Sequence, residues 1–379
     1  MCNISHVVSK SIEKRNTLNF RSRQKMVPLP VFFPDATKAV LRTLDSTDIE
    51  STKTPGILVN TYHLYRDLGQ KILEKHNGIR QFMSWNGAVI SDSGGFQVMT
   101  LAKSSKNKGS VTDEGVTFKP QGDKKIKLTP EISIKFQMLL KPDMCVVLDD
   151  FTDPKANYEQ AKISVERTLL WAKRSKVEFL KICKEMGLQE NERPYLLGVV
   201  QGGDFLDLRE YCTKKLVEIG FDGLGYGGWP IMDTGKFNFD VPRVIAENSP
   251  ANYMLYGLGV GKPDEIVKCF DLGFYIFDCV LPTRDARHGR LYVFDAGSMD
   301  EIDIRKERFY SYFVPDKQKH YSDTEPVSRA CDCLLCKKYS RAYLAHLFRI
   351  EDMTAYRLAT IHNLRFYSLL MEKLNATLR

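Results

Sequence analysis

The chain has 379 residues, 43% of them hydrophobic and 27% charged, enough to bury one large core or two smaller ones without disulfides. No stretch approaches the roughly 18 apolar residues of a membrane span, and the opening MCNISHVVSKSIEKRN holds no uninterrupted apolar segment, so no membrane association and a cytoplasmic location are expected. A formal net charge of +8 is compatible with a polyanionic partner, and nine cysteines, an odd number scattered through a long chain, argue against a disulfide framework.

Short β-rich runs recur along the chain. They are PVFFP (30–34), ILVNTY (57–62), AVISD (88–92), MCVVLD (144–149), LLGVVQ (196–201), DGLGYG (222–227), YMLYGL (253–258) and YIFDCVL (275–281). Most are continuously apolar rather than alternating, the pattern of parallel strands covered on both faces. Helix-length segments separate them, chiefly residues 157–186, 207–220 and 262–273. Eight strands interleaved with helices predict an α/β fold, a (β/α)8 TIM barrel occupying residues 1–290. A doubly wound open sheet has the same alternation, and the polar residues favour the barrel. Asn60, Asp92, Asp149, Gln201, Gly227 and Asp278 all fall at or near the C-terminal ends of their strands, where barrels assemble active sites. One polar strand end would simply meet solvent; six in succession form a pattern.

Two stretches interrupt this rhythm. Between the third and fourth strands, VTFKPQGDKKIKL predicts a small antiparallel hairpin with a Gly-Asp turn, an insertion at about 110–128. Thr129 then caps a helix that has Pro130 at its first position. After the eighth strand the chain leads into a cysteine cluster and two helices, so a C-terminal subdomain is expected over 291–379, packed on the barrel. Its CDCLLC segment supplies Cys331, Cys333 and Cys336, and His362 follows in a helix-length segment. Three thiols and an imidazole fit a tetrahedral zinc site, with His320 and His346 as alternative fourth ligands. Four protein ligands leave no open position, so one zinc ion would be structural, tying the C-terminal helices to the barrel.

The motifs VNTYHLY (59–65), SDSGGFQVMTL (91–101), VVQGG (199–203), GVGKPDEI (259–266), FDCVLPTR (277–284) and CDCLLC with its downstream histidine together resemble the tRNA-guanine transglycosylase family. No extra C-terminal RNA-binding domain is evident, so the compact bacterial architecture is expected. The resemblance implies a zinc-containing barrel that exchanges the wobble guanine of GUN-anticodon tRNAs for a 7-deazaguanine through a covalent aspartate. Asp278 matches the nucleophile, apt because the ribose C1′ becomes oxocarbenium-like as the base departs. Asp92 matches the general acid/base. Asp149, with Asp150 as the neighbouring alternative, matches the aspartate that pairs with the guanine N1 and exocyclic amine. Gln201 and the backbone N–H of Gly227 or Gly228 would address the O6 and N7 edge, and Phe96 and Tyr256 would sandwich the base. Arg284, Arg287 and Arg290, near His288, would hold the phosphates of a UGU anticodon core, and Lys124, Lys125, Lys127 and Lys337 could extend that track.

The resemblance departs from the bacterial pattern in the pocket. Phe151 stands where a Cys is expected, Trp229 where a Leu is expected, and Tyr256 where a Met is expected. These changes bear on which base is inserted: 7-aminomethyl-7-deazaguanine (preQ1), its 7-cyano precursor (preQ0), or queuine. The resemblance also suggests a homodimer, through Tyr339, Tyr343 and His346 at helical spacing. A non-catalytic partner subunit is the alternative within the family, but it would be expected to lack the carboxylates Asp92 and Asp278. A zinc-stabilised RNA-binding protein and a glycosidase on the same fold are the readings from other classes.

Overall fold

Residues 19–23, 25–103, 109–119, 125–232 and 234–378 are described by a computed structural model. The first of them form an antiparallel ribbon, β1 (Asn19–Arg21) paired with β2 (Met26–Pro28). Three barrel strands follow, β3 (Val31–Pro34), β4 (Gly56–Asn60) and β5 (Ala88–Asp92). The chain then makes a three-stranded antiparallel sheet from β6 (Ser110–Thr112), β7 (Gly115–Phe118) and β8 (Ile126–Leu128). Five more barrel strands complete the set: β9 (Met144–Val146), β10 (Tyr195–Val200), β11 (Gly223–Tyr226), β12 (Met254–Gly257) and β13 (Ile276–Cys279). Finally β14 (Leu291–Phe294) pairs antiparallel with β15 (Tyr310–Phe313).

All eight barrel strands are parallel, in the order β3-β13-β12-β11-β10-β9-β5-β4. A bridge between Asp35 and Leu58, with the Ala36 N–H on the Leu58 carbonyl at 2.7 Å, joins the two ends and closes the barrel. This is the predicted (β/α)8 architecture. Near the closure Gly56 is obligatory, because a Cβ there would stand 2.1 Å from the Phe33 ring.

Several strands end earlier than their apolar runs suggest, and the start of the next helix explains two of them. ILVNTY stops at Asn60 because its side chain accepts the His63 N–H at 3.0 Å and starts the helix Thr61–Asp67. YIFDCVL stops at Cys279 because the helix Leu281–Arg287 begins there with Pro282 in its first turn. The longest helix outside the C-terminal region, Tyr158–Glu185, opens on a full capping box between Asn157 and Gln160. The predicted hairpin is present in β7 and β8, with Thr117 opposite Lys127, and β6 adds a third strand. Its Gly-Asp turn and Lys124 lie outside the described residues. Thr129 caps the helix Pro130–Leu140 as expected.

The C-terminal segment is sewn into the barrel. In the buried helix Met353–Ala376, Asn363 accepts the Tyr292 N–H at 3.0 Å and donates to the carbonyls of Pro282 at 2.9 Å and Arg290 at 3.0 Å. Tyr367 packs on Phe32 with ring centroids 4.5 Å apart and donates its hydroxyl to the Gly261 carbonyl at 2.6 Å. Among the described residues no helix is long and apolar enough to cross a membrane.

Candidate active site and metal centre

The C-terminal ends of the barrel strands gather carboxylates in an enclosed mouth. Asp92, the last residue of β5, accepts three hydrogen bonds, from Asn60 Nδ2 at 2.7 Å, Thr61 N–H at 3.1 Å and Gly94 N–H at 3.0 Å. Burial nevertheless pushes its pKa up to about 7. Asp278 on β13 is 7% exposed and accepts the Gly259 N–H at 3.0 Å, and burial likewise raises it to about 7. Asp35, one residue beyond β3, adds like-charge repulsion to both. Two carboxylic groups poised near neutrality can divide the labour of an anionic nucleophile and a proton carrier.

A second group lies on the β9 and β10 ends. Gln201 donates Nε2 to Asp149 at 2.6 Å while its Oε1 accepts the Thr152 N–H at 3.1 Å, so the amide orientation is fixed from both sides. Burial raises Asp149 to about 6. Asp150 turns away and pairs with Arg167, which separates the two neighbouring aspartates that the sequence left as alternatives. Gly227 cannot offer its N–H to a ligand, because it already donates to the Val200 carbonyl at 3.0 Å; Gly228 is the free member of the pair among the described residues. Gly228 needs its residue type, with φ +101° and the Arg209 Nη2 only 3.0 Å from where a Cβ would be.

Arg209 went unnoticed in the sequence and organises this side of the mouth. Wholly buried, it donates to the carbonyls of Gly203 at 2.8 Å, Val200 at 2.6 Å and Gly227 at 2.7 Å. Nothing in the helical stretch LDLREYC marks it.

The aromatic residues distribute differently from expectation. Phe96 is 46% exposed at the mouth, with the edge of Phe151 against it at 5.0 Å, and Trp229 is 54% exposed. Tyr256 is wholly buried and offers no ring face to a ligand. It sits inside β12, level with Ile276 rather than with Asp278, and a residue within the ladder points into the barrel core instead of its rim. Burial pushes the pKa of its hydroxyl up, and the charge of Asp278, a hydrogen bond to it, and the charges of Asp92 and Asp35 push it further. Leu258, just past the same strand on its C-terminal side, is partly exposed.

Arg284 and Arg290 are exposed beside the mouth, and Arg287 is partly buried with its Nη1 on the Thr283 carbonyl at 2.8 Å. Burial lowers the Arg287 pKa, and the positive charges of Arg42 and Arg284 lower it further, so Arg42 belongs to this basic group although the sequence reading passed over it. Lys127 is paired with Glu114 at 2.8 Å.

The cysteine cluster closes as a four-donor set. The ligating atoms of Cys331, Cys333, Cys336 and His362 all lie within 4.8 Å of one another. The His362 Nδ1 is 3.5 Å from the Cys333 Sγ and 3.3 Å from the Cys336 Sγ. Tetrahedral bonds of about 2.0 to 2.3 Å space their ligands about 3.5 to 3.8 Å apart, so the set fits one ion. His362 Nε2 sits 2.8 Å from the Tyr292 carbonyl, which holds the proton on Nε2 and turns the Nδ1 lone pair toward the thiols. Asp332, between the first two cysteines, is held by Arg365, which is 2% exposed and also pairs with Glu372 at 2.7 Å. His320 packs on the Phe313 ring near Asp323, and His346 is exposed, so neither joins the cluster.

Comparison with known proteins agrees with this arrangement. A family model described as Queuine tRNA-ribosyltransferase matches residues 13–379. Relatives named Queuine tRNA-ribosyltransferase from Shewanella sp. (strain W3-18-1) and Shewanella putrefaciens (strain CN-32 / ATCC BAA-453) are each 38% identical over 356 residues, covering 93% of this chain and 87% of theirs. A third, from Shewanella sp. (strain ANA-3), is 37% identical over 353 residues. The match spans the barrel, its carboxylate-lined mouth and the Cys3His cluster, and the chain belongs to the queuine tRNA-ribosyltransferase family of pentosyltransferases.

Proposed function

We propose that the protein exchanges the wobble guanine in the UGU core of GUN-anticodon tRNAs for a 7-deazaguanine, through a covalent bond between Asp278 and the ribose. The observation that carries this reading is the pair of enclosed carboxylates, Asp92 and Asp278, on different strands of one barrel mouth and both raised to about 7. A carboxylate oxygen of Asp278 bonds to C1′ as the C1′–N9 bond breaks and the electron pair leaves with guanine, which takes a proton from Asp92. The incoming base returns a proton to Asp92, attacks C1′ through its own ring nitrogen and displaces the Asp278 carboxylate. Two inversions restore the original linkage.

The remaining roles follow from position. Asp149, oriented by Gln201, accepts hydrogen bonds from the N1 and exocyclic amine of the base; Gly228 N–H and Gln201 serve its other edge. Phe96 supplies one stacking face, and Leu258 replaces Tyr256 as the opposite wall. Trp229 and Phe151 shape the space for the 7-substituent, which selects among preQ1, preQ0 and queuine. Arg284, Arg287 and Arg290, joined by Arg42, hold the anticodon phosphates. Cys331, Cys333, Cys336 and His362 would hold one structural zinc, which cross-links the 291–379 subdomain and takes no part in the chemistry. Tyr339 and Tyr343, stacked at 5.0 Å and with Tyr343 41% exposed, supply an aromatic face for a homodimer. A cytoplasmic location follows from a tRNA substrate.

The test is incubation with unmodified tRNA and labelled guanine, for wild type and Asp278→Asn. Label incorporation and a gel-stable protein–RNA adduct in wild type alone are expected. Incorporation by Asp278→Asn at the wild-type rate would refute the covalent route, and none by folded, metal-loaded wild type would refute the exchange reaction.

A further inference from the structure

Asp35 is a third carboxylate in the mouth with no role in the reaction as written. It follows β3 immediately and forms the bridge to Leu58 that closes the barrel. It therefore stands between β13, which carries Asp278, and β4, whose Asn60 holds Asp92. Burial raises its pKa, and its charge in turn raises those of both neighbours. The hydrogen bonds it accepts come from Thr37 alone, with the hydroxyl at 2.5 Å from Oδ1, which leaves acceptor capacity on the carboxylate. Among the described residues no cation lies within ion-pair distance of it, and the charge of Arg287 acts on it only from farther away. If capping Thr37 were its whole task, an uncharged Asn or Ser would serve without repelling two catalytic carboxylates.

The Tyr256 hydroxyl, wholly buried, lies beside Asp278 in the same corner and feels the charge of all three carboxylates. The corner therefore sets the spare acceptor capacity of Asp35 next to the nucleophile and its hydroxyl neighbour. A hydroxyl group both donates and accepts. A metal ion fits less well, because among the described residues the Cys3His group is the only set with its ligand atoms close enough to share one.

We propose that Asp35 accepts a hydrogen bond from the 2′-hydroxyl of the nucleotide whose base is exchanged. The proposal rests on Asp278 being the group that attacks C1′. The 2′-hydroxyl is borne on the carbon next to C1′, and adjacent strands lie about 4.8 Å apart, so a carboxylate on the strand beside the nucleophile reaches that oxygen. As C1′ becomes cationic the hydroxyl grows more acidic, and its bond to Asp35 strengthens in the transition state. The same contact selects RNA over DNA at this nucleotide.

The test is a two-by-two comparison. Wild type and Asp35→Ala each receive an anticodon stem-loop RNA, all-ribose or with a single 2′-deoxy sugar at the exchanged nucleotide, and kcat/KM for guanine exchange is read. The inherent effect of the deoxy sugar on bond lability is common to both enzymes and cancels in the ratio. Wild type should lose about 10- to 100-fold more than the variant on removal of the hydroxyl, as for a hydrogen bond to a charged group. Asp35→Ala should be slowed on the all-ribose substrate and should show only the inherent effect of the deoxy sugar. Equal sensitivity of the two proteins would overturn the proposal while leaving base exchange intact; no exchange by wild type on all-ribose RNA would instead remove the reading on which it rests. Asp35→Val, which fills the site without offering an acceptor, serves the same cycle should the alanine variant fold poorly.

Discussion

Replacing Asp278 by Asn should make the protein more stable at pH 8 and no more stable at pH 4. Burial lifts the Asp278 carboxyl from its ordinary 3.8 to about 7. Below about pH 4 both the folded and the unfolded chain keep this proton, and the residue contributes no pH dependence. Between about pH 4 and pH 7 the unfolded chain ionises while the folded one retains its proton, so stability falls as pH rises. Above pH 7 the penalty is complete. A rise from 3.8 to about 7 corresponds to about 4 kcal/mol at 1.36 kcal/mol per pH unit, and accommodation by the neighbouring carboxylates leaves about 2 to 4 kcal/mol. Asn keeps an oxygen for the Gly259 N–H and carries no charge to desolvate. Unfolding entropy of about 2.1 cal/mol/K per residue gives about 0.8 kcal/mol/K for 379 residues, so the gain is about 3 to 5 °C in Tm. Calorimetry of the metal-loaded proteins across pH 4.5 to 8, reading the difference between them at each pH, measures it. A difference that does not change with pH, or a variant less stable at pH 8, would refute the burial argument. The expected result is a dead enzyme that is harder to melt, stability having been given up for function.

Arg209→Met should destabilise the fold by about 2 to 4 kcal/mol, since the Gly227 and Gly203 carbonyls lose this donor and the Val200 carbonyl keeps only the Gly227 N–H, and activity in surviving protein should fall through KM for the base as the Gly227–Gly228 turn loosens; an unchanged KM would refute this positioning role. Cys333→Ser should reduce metal content from one zinc per chain toward none, measured by plasma mass spectrometry, and lower Tm with it; full zinc occupancy in the variant would exclude Cys333 as a ligand. Trp229→Leu should shift the preference among preQ1, preQ0 and queuine in competition assays, and identical ratios for the two proteins would remove Trp229 from specificity. Tyr343→Ala should sediment as a lighter species than wild type, and equal sedimentation would show that the Tyr339–Tyr343 face is not an interface.

The barrel was legible because parallel strands buried on both faces write themselves as short, dense apolar runs, and those runs recur eight times. Polar residues at or near the ends of six runs were legible for the same reason, and the family resemblance singled out Asp92, Asp149, Gln201 and Asp278 among them. Asp35 was missed by a single residue, since PVFFP was ended at Pro34 and the following Pro-Asp pair reads as a turn. Tyr256 was matched to the stacking position by resemblance, and a run such as YMLYGL does not by itself say which residue lies within the ladder and which just past it. The metal set was legible in its three clustered thiols, whereas His362 was separated from His320 and His346 only when the final helix laid it over the cysteine loop.

Composition, apolar periodicity and the spacing of cysteines thus determined the class of fold, the end of the barrel that carries the chemistry and the kind of metal site, because each is a one-dimensional pattern with a local physical cause. Which of Asp149 and Asp150 faces the mouth, which glycine keeps a free N–H, and which carboxylates share one enclosed space were decided by tertiary structure alone. Those outcomes depend on side chains brought together from strands as far apart in the chain as β3 and β13, and on how burial and neighbouring charge set each proton's affinity, and neither is written in the order of the residues.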